Sequence, residues 1–187
     1  KLKRIRLLVD VLTLTATPIP RTMYMSLMGV KDISMINSPP EDRLPVYTHV
    51  GEFDEALIGE VVKRELSRQG QVYFVHNEIS SIDRMKTRLE ALLPHAKICI
   101  AHGRMSGRSL ESLMIDFVNK RFDILLCTTI IESGIDIPNV NTIIVNNAYA
   151  YGLSDMYQLR GRVGRFNRKA FAYFLVPKSM VLTSDIR

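Results

Sequence analysis

From residue 46 to residue 176 short apolar runs alternate with stretches of helical periodicity, and this alternation narrows the possible fold more than any other feature. The apolar runs fall at 46–50, 71–76, 97–101, 123–127, 141–146 and 170–176. Between them, residues 55–68 space Leu57, Val61, Val62 and Leu66 along one helix face, and Ile79, Ile82, Met85, Leu89 and Leu92 mark a second helix. Leu110, Leu113, Met114, Phe117 and Val118 keep the same spacing in a third. Strands this apolar must be covered on both sides, so the expected fold is α/β, a mostly parallel sheet with helices on both faces. Residues 1–44 stand apart. An apolar strand at 9–14 and a helix opened by Pro18 and Pro20 lead into a Ser-Pro-Pro and Glu-Asp-Arg linker, which predicts an N-terminal helix/strand appendage ahead of a domain spanning 45–187.

Ligands of parallel sheets bind beyond the carboxyl ends of the strands, and this rule gathers scattered polar residues into one set. Asn77 follows the run at 72–75, His102 and Gly103 follow 98–101, and Thr128 and Thr129 follow 124–127. Each precedes a helix start or a loop leading to one, where backbone amides and short polar side chains can hold phosphate oxygens. Together they describe a track for a nucleic-acid backbone with little reading of base identity.

A second polar stretch runs from Ser154 to Arg165. Ser154 and Asp155 suit the start of a short helix that carries Gln158 and stops near Gly161, a residue able to take the left-handed conformation that ends helices. Arg162 and Arg165 then sit on a turn bracketed by Gly161 and Gly164. Two planar, permanently charged forks on such a turn suit an anionic ligand. Upstream, Gly134 permits a tight bend beside Asp136, whose carboxylate can accept from a ribose hydroxyl or steer an arginine.

Gln158, Gly161, Arg162 and Arg165 match the pattern Gln-x-x-Gly-Arg-x-x-Arg, and through it the chain resembles the superfamily 2 helicases and translocases, where this is motif VI. Thr15-Ala16-Thr17 resembles their motif III, residues 72–77 motif IV, Ala101-His102-Gly103-Arg104-Met105 the turn that follows it, and residues 128–138 motif V. The resemblance implies a RecA-like lobe in which Thr128 touches nucleic-acid backbone, Asp136 lies near the nucleotide sugar, and Arg162 and Arg165 face ATP bound on another lobe. Residues 12–22 and 152–165 resemble the branch shared by fork-reversing helicases of the RecG type and transcription-repair coupling factors; 29–34, 38–43 and 138–145 resemble the latter more closely.

A complete ATP motor also needs a loop of the form Gly-x-x-x-x-Gly-Lys-Ser/Thr and an acid for magnesium. None of the ten glycines is followed by lysine, so the chain alone is expected to be inactive. ATP with magnesium would be bound mainly by a first RecA-like lobe of the parent chain, whose last strand would be 9–14, with Thr15, Ala16 and Thr17 coupling the lobes. What the resemblance implies for the parent is double-stranded DNA translocation in the bacterial cytoplasm, with RNA polymerase and excision-repair proteins met through modules this stretch lacks. A first residue of Lys1 agrees with a piece of a longer protein. The alternative from another class is a non-catalytic nucleic-acid-binding module, and a net charge of +6 suits a polyanion under either reading. An orphaned strand at 9–14 would seek a partner, including another copy of the chain. No apolar run is long enough to span a bilayer, and Cys99 and Cys127 lie inside apolar runs, without metal-knuckle spacing, as expected of buried thiols.

Overall fold

The computed structural model describes residues 34, 36, 44–133, 137–164 and 168–179. The chain divides into two compact units, Lys1–Ser38 and Pro39–Arg187, and every element below belongs to the second. The predicted strand at 9–14, the coupling residues Thr15, Ala16 and Thr17, and the rest of the appendage lie outside the described residues.

Among the described residues, six strands and four helices follow in order: β1 (Val46–Glu52), α1 (Glu55–Ser67), β2 (Gln71–Val75), α2 (Ile82–Leu92), β3 (Ile98–Ala101), α3 (Gly107–Val118), β4 (Ile124–Cys127), β5 (Val140–Asn146), α4 (Leu153–Arg160) and β6 (Ala170–Val176). Short 3-10 turns at Ile79–Ser81, Thr129–Ser133 and Ala148–Ala150 link them. The sheet runs β1-β6-β5-β2-β4-β3. Every pairing is parallel, so the expectation of a mostly parallel sheet is met in full.

Strand order explains the two faces. Crossovers from β1 to β2 and from β2 to β3 run one way along the sheet, and those from β3 to β4 and from β5 to β6 run the other way. Right-handed connections therefore lay α1 and α2 on one face and α3 and α4 on the opposite face. Ile58, Val61 and Val62 of α1 and Ile82 and Leu89 of α2 pack on Val72, Phe74 and Leu126. Met114 and Phe117 of α3 and Leu159 of α4 pack on Tyr73, Val75 and Leu125. Covered on both sides, β2, β4 and β5 are buried along their whole length, as their unbroken apolar runs require.

Local chemistry opens the helices. Asp54 Oδ1 accepts from Ala56 N at 2.9 Å ahead of α1, and Ser106 Oγ accepts from Ser109 N at 3.2 Å ahead of α3. At α4 the structure departs from expectation. Gly152 precedes the helix and Asp155 Oδ2 accepts from its amide at 3.1 Å, so Ser154 lies inside the first turn instead of capping it. Gly161 ends α4 at φ −69°, not in a left-handed conformation. The left-handed glycine of this turn is Gly164, at φ 85°. Val118, expected to face inward, is 49% exposed: α3 covers the flank formed by β3 and β4 with a narrow stripe centred on Met114 and Phe117.

A candidate nucleic-acid and nucleotide interface

Register brings the predicted lip together. Ala101 pairs with Cys127, Cys127 with Val75, and Val75 with Val145, so the residues just beyond these pairs lie side by side along one edge. Backbone bonds continue past the strands: His76 N donates to the Cys127 carbonyl at 2.8 Å, and Thr128 N to the Ala101 carbonyl at 3.2 Å. Asn77, Gly103 and Thr129 are exposed at this edge, His102 is half-buried, and Thr128 is buried at 8% exposure.

The turn carrying His102 and Gly103 is closed by Met105 N donating to the His102 carbonyl at 3.0 Å. It lies against the 3-10 turn after Thr128, since a Cβ on Gly103 would meet Ile130 Cγ2 at 3.9 Å. His102 Nδ1 is buried and has no hydrogen-bond partner among the described residues. Arg104 is exposed beside it. The exposed Asn77 and Thr129 side chains and a nearby guanidinium form a surface suited to phosphodiester oxygens.

Gln158 and Arg162 belong to a neighbouring part of the same lobe. α4 packs against the Thr129–Ser133 turn, so the helix bearing Gln158 touches the segment that begins at the lip. Arg162 is half-buried just past the helix, where its amide donates to the Leu159 carbonyl at 3.0 Å. Val163 is fully buried in the core and Gly164 is buried beside it, anchoring the turn from the side opposite the helix. Gly134, Asp136 and Arg165 lie outside the described residues.

The structure adds two residues that the sequence offers no reason to single out. His76 and Asn146, each 4% exposed, close the ends of β2 and β5 and are hydrogen-bonded to each other. Their one visible signal in the sequence is a polar residue at the end of an otherwise apolar run, which is also the signature of an ordinary strand end.

Comparison with known proteins agrees with this geometry. Residues 54–167 match the family described as Helicase conserved C-terminal domain. The chain is 54% identical over 183 residues to the transcription-repair-coupling factor of Bacillus subtilis (strain 168) and 52% identical to that of Staphylococcus aureus (strain USA300). These matches cover 98% of this chain and 16% of each relative, so the chain spans about one sixth of the relatives' length. Among solved structures, RecG bound to a three-way DNA junction superposes with a TM-score of 0.74 at 34% identity, covering 91% of this chain and 23% of RecG. Yeast (S. cerevisiae) Dbp5 bound to RNA and ADP BeF3 shares the fold, with a TM-score of 0.64 at 20% identity over 88% of this chain and 44% of Dbp5.

Proposed function

This chain belongs to the Helicase conserved C-terminal domain family, and from that premise we propose that it is the second RecA-like motor lobe of an ATP-dependent double-stranded DNA translocase acting in transcription-coupled DNA repair. The observation that carries the reading is the junction of α4 with the turn after Thr128, which joins the arginine-bearing segment to the polar lip within one lobe. Asn77, His102, Gly103, Thr128 and Thr129 hold the DNA backbone. Gln158, Arg162 and Arg165 face the triphosphate, with Gly134 and Asp136 beside its sugar and Gly161 and Gly164 shaping the turn.

Arg162 fits a nucleotide as a donor to phosphate oxygens, because a guanidinium is planar and keeps its charge. Magnesium has no matching ligand set here: among the described residues no group of three His, Cys, Asp or Glu side chains could hold a metal ion. ATP with magnesium, carried mainly by the first lobe, supplies the phosphoryl bond that is broken. The contribution of this chain is positive charge brought across the cleft between lobes and a grip on DNA that changes as the cleft opens and closes. RNA polymerase and excision-repair proteins are partners of the parent through its other parts.

Similarity to RecG favours a second reading, the corresponding lobe of a fork-reversing helicase, and the higher identity to coupling factors ranks it below the first. Arg162→Ala in the full parent protein is expected to lower DNA-stimulated ATP hydrolysis by about a thousandfold, the usual scale for an arginine that stabilises phosphoryl transfer. Hydrolysis at the wild-type rate removes the arginine-finger role. Displacement of stalled polymerase by the parent, as opposed to remodelling of branched DNA, separates the two readings.

A further inference from the structure

A buried polar chain ties the loop leaving β2 to the end of β5. Asn146 Nδ2 lies 3.0 Å from His76 Nδ1. On the far side of the ring, Nε2 lies 2.8 Å from Ser81 Oγ, and Ser81 donates its hydroxyl proton to Glu78 Oε2 at 2.9 Å. This last bond sets the direction of the others. A hydroxyl has one proton to give, so Ser81 accepts from the ring, Nε2 carries the ring proton, and bare Nδ1 accepts from Asn146.

Both ends of the chain lead to the proposed machinery. Asn77, exposed at the lip, is the residue after His76. Asn146 is followed by Asn147 in a left-handed conformation (φ 55°, ψ 49°), the Ala148–Ala150 turn, and then α4 with Gln158. Moving the β2 loop without moving the end of β5 would break a bond buried on both sides and strand a donor and an acceptor away from water.

We propose that His76 is a positioning residue that couples DNA contact at Asn77 to α4 and its arginine turn through the hydrogen bond to Asn146. The inference rests on the reading of Asn77 as a DNA contact and Arg162 as a nucleotide contact. It goes beyond that reading by giving His76, within the 72–77 stretch, a role in joining the two that the motif resemblance does not imply.

Several charged groups line the cleft, of about 680 Å³, that His76 also borders. Glu78 follows on the loop after His76, Asp54 and Glu55 come from the head of α1, Arg84 and Arg88 from α2, and Lys178 from the segment after β6. Asp54 caps α1 and Glu55 is paired with Arg88. Burial lowers the His76 pKa below its usual 6.5, and Glu78 opposes that shift only in part. A protonated ring would turn an N–H toward the Asn146 Nδ2 donor, so the bond as it stands breaks and the amide must turn its oxygen to the ring to restore it.

The test uses the full parent protein and a labelled DNA duplex, with affinity measured with and without a non-hydrolysable ATP analogue. The ratio of the two affinities is the coupling factor between the sites. The amide of asparagine lies as many bonds from Cα as Nδ1, and that of glutamine as many as Nε2. His76→Asn therefore keeps the link to Asn146, whereas His76→Gln keeps only the link to Ser81. The expected result is a coupling factor near wild type in His76→Asn and one reduced by about fivefold or more in His76→Gln and in Asn146→Leu, within the range of measured couplings. Coupling in the wild type is also expected to fade in acid while His76→Asn holds it. Wild-type coupling in both His76→Gln and Asn146→Leu, alongside weakened DNA binding by Asn77→Ala, overturns the positioning role and leaves the DNA reading intact. Unchanged DNA affinity in Asn77→Ala overturns the DNA contact itself, and the inference with it.

Discussion

Gly164 lies directly against Val46: with its backbone at φ 85°, an added Cβ would come within 2.5 Å of Val46 Cγ2. The contact fastens the segment leaving Arg162 to edge strand β1. Gly164→Ala should destabilise the fold by about 1–3 kcal/mol, from overpacking together with an unfavourable positive φ. Chemical denaturation measures the loss. Adding Val46→Ala should return part of it, because the colliding methyl is gone and the two changes are then not additive.

The buried ring of His76 makes stability depend on pH. Its folded pKa lies below the ordinary 6.5, so between the two values the unfolded chain binds more protons than the folded one. Stability is then present above pH 6.5 and lost as pH falls through that window toward the folded value. Unfolding curves over this range should show a steeper decline for wild type than for His76→Asn. Equal slopes would mean that other groups carry the acid sensitivity.

The two cysteines should be chemically silent in the native state. Burial pushes the Cys99 thiol up to about 12 and raises that of Cys127 as well, and Cys99 Sγ sits 3.6 Å from the Ile124 carbonyl oxygen. The thiolate is the reactive form. A thiol reagent at neutral pH should label neither residue until denaturant is added, when both react.

Glu65 anchors the opposite, amino-terminal end of the sheet. It is 1% exposed and accepts hydrogen bonds from Arg68 and from Thr142 of β5. Glu65→Ala strands the buried hydroxyl and leaves a partly solvated guanidinium, an expected loss of about 1–3 kcal/mol. Thr142→Val should cost less, and the double variant less than the sum of the two. Thermal unfolding of the three variants gives the comparison.

Element types were legible because helix and strand periods are local properties. The strand boundaries implied by the apolar runs agree with β2, β4 and β6 to within a residue or so, and the lip residues Asn77, His102, Gly103, Thr128 and Thr129 could be assigned to one edge by the rule for parallel sheets. Orientation at element ends was less legible. Val118 fits the helical spacing yet faces outward, and the left-handed glycine of the arginine turn is Gly164, not Gly161.

Alternating hydrophobicity in this chain determined an α/β sheet with phosphate-suited residues at its carboxyl ends, since burying apolar strands on both faces leaves few other solutions. Tertiary structure alone decided the order β1-β6-β5-β2-β4-β3, and with it which polar residues meet. His76 bonds Asn146 across a separation of 70 residues, and Glu65 accepts from Thr142 across 77. Nothing in a local pattern encodes such pairs, because a hydrogen bond between distant segments exists only after strand pairing has fixed which segments are neighbours.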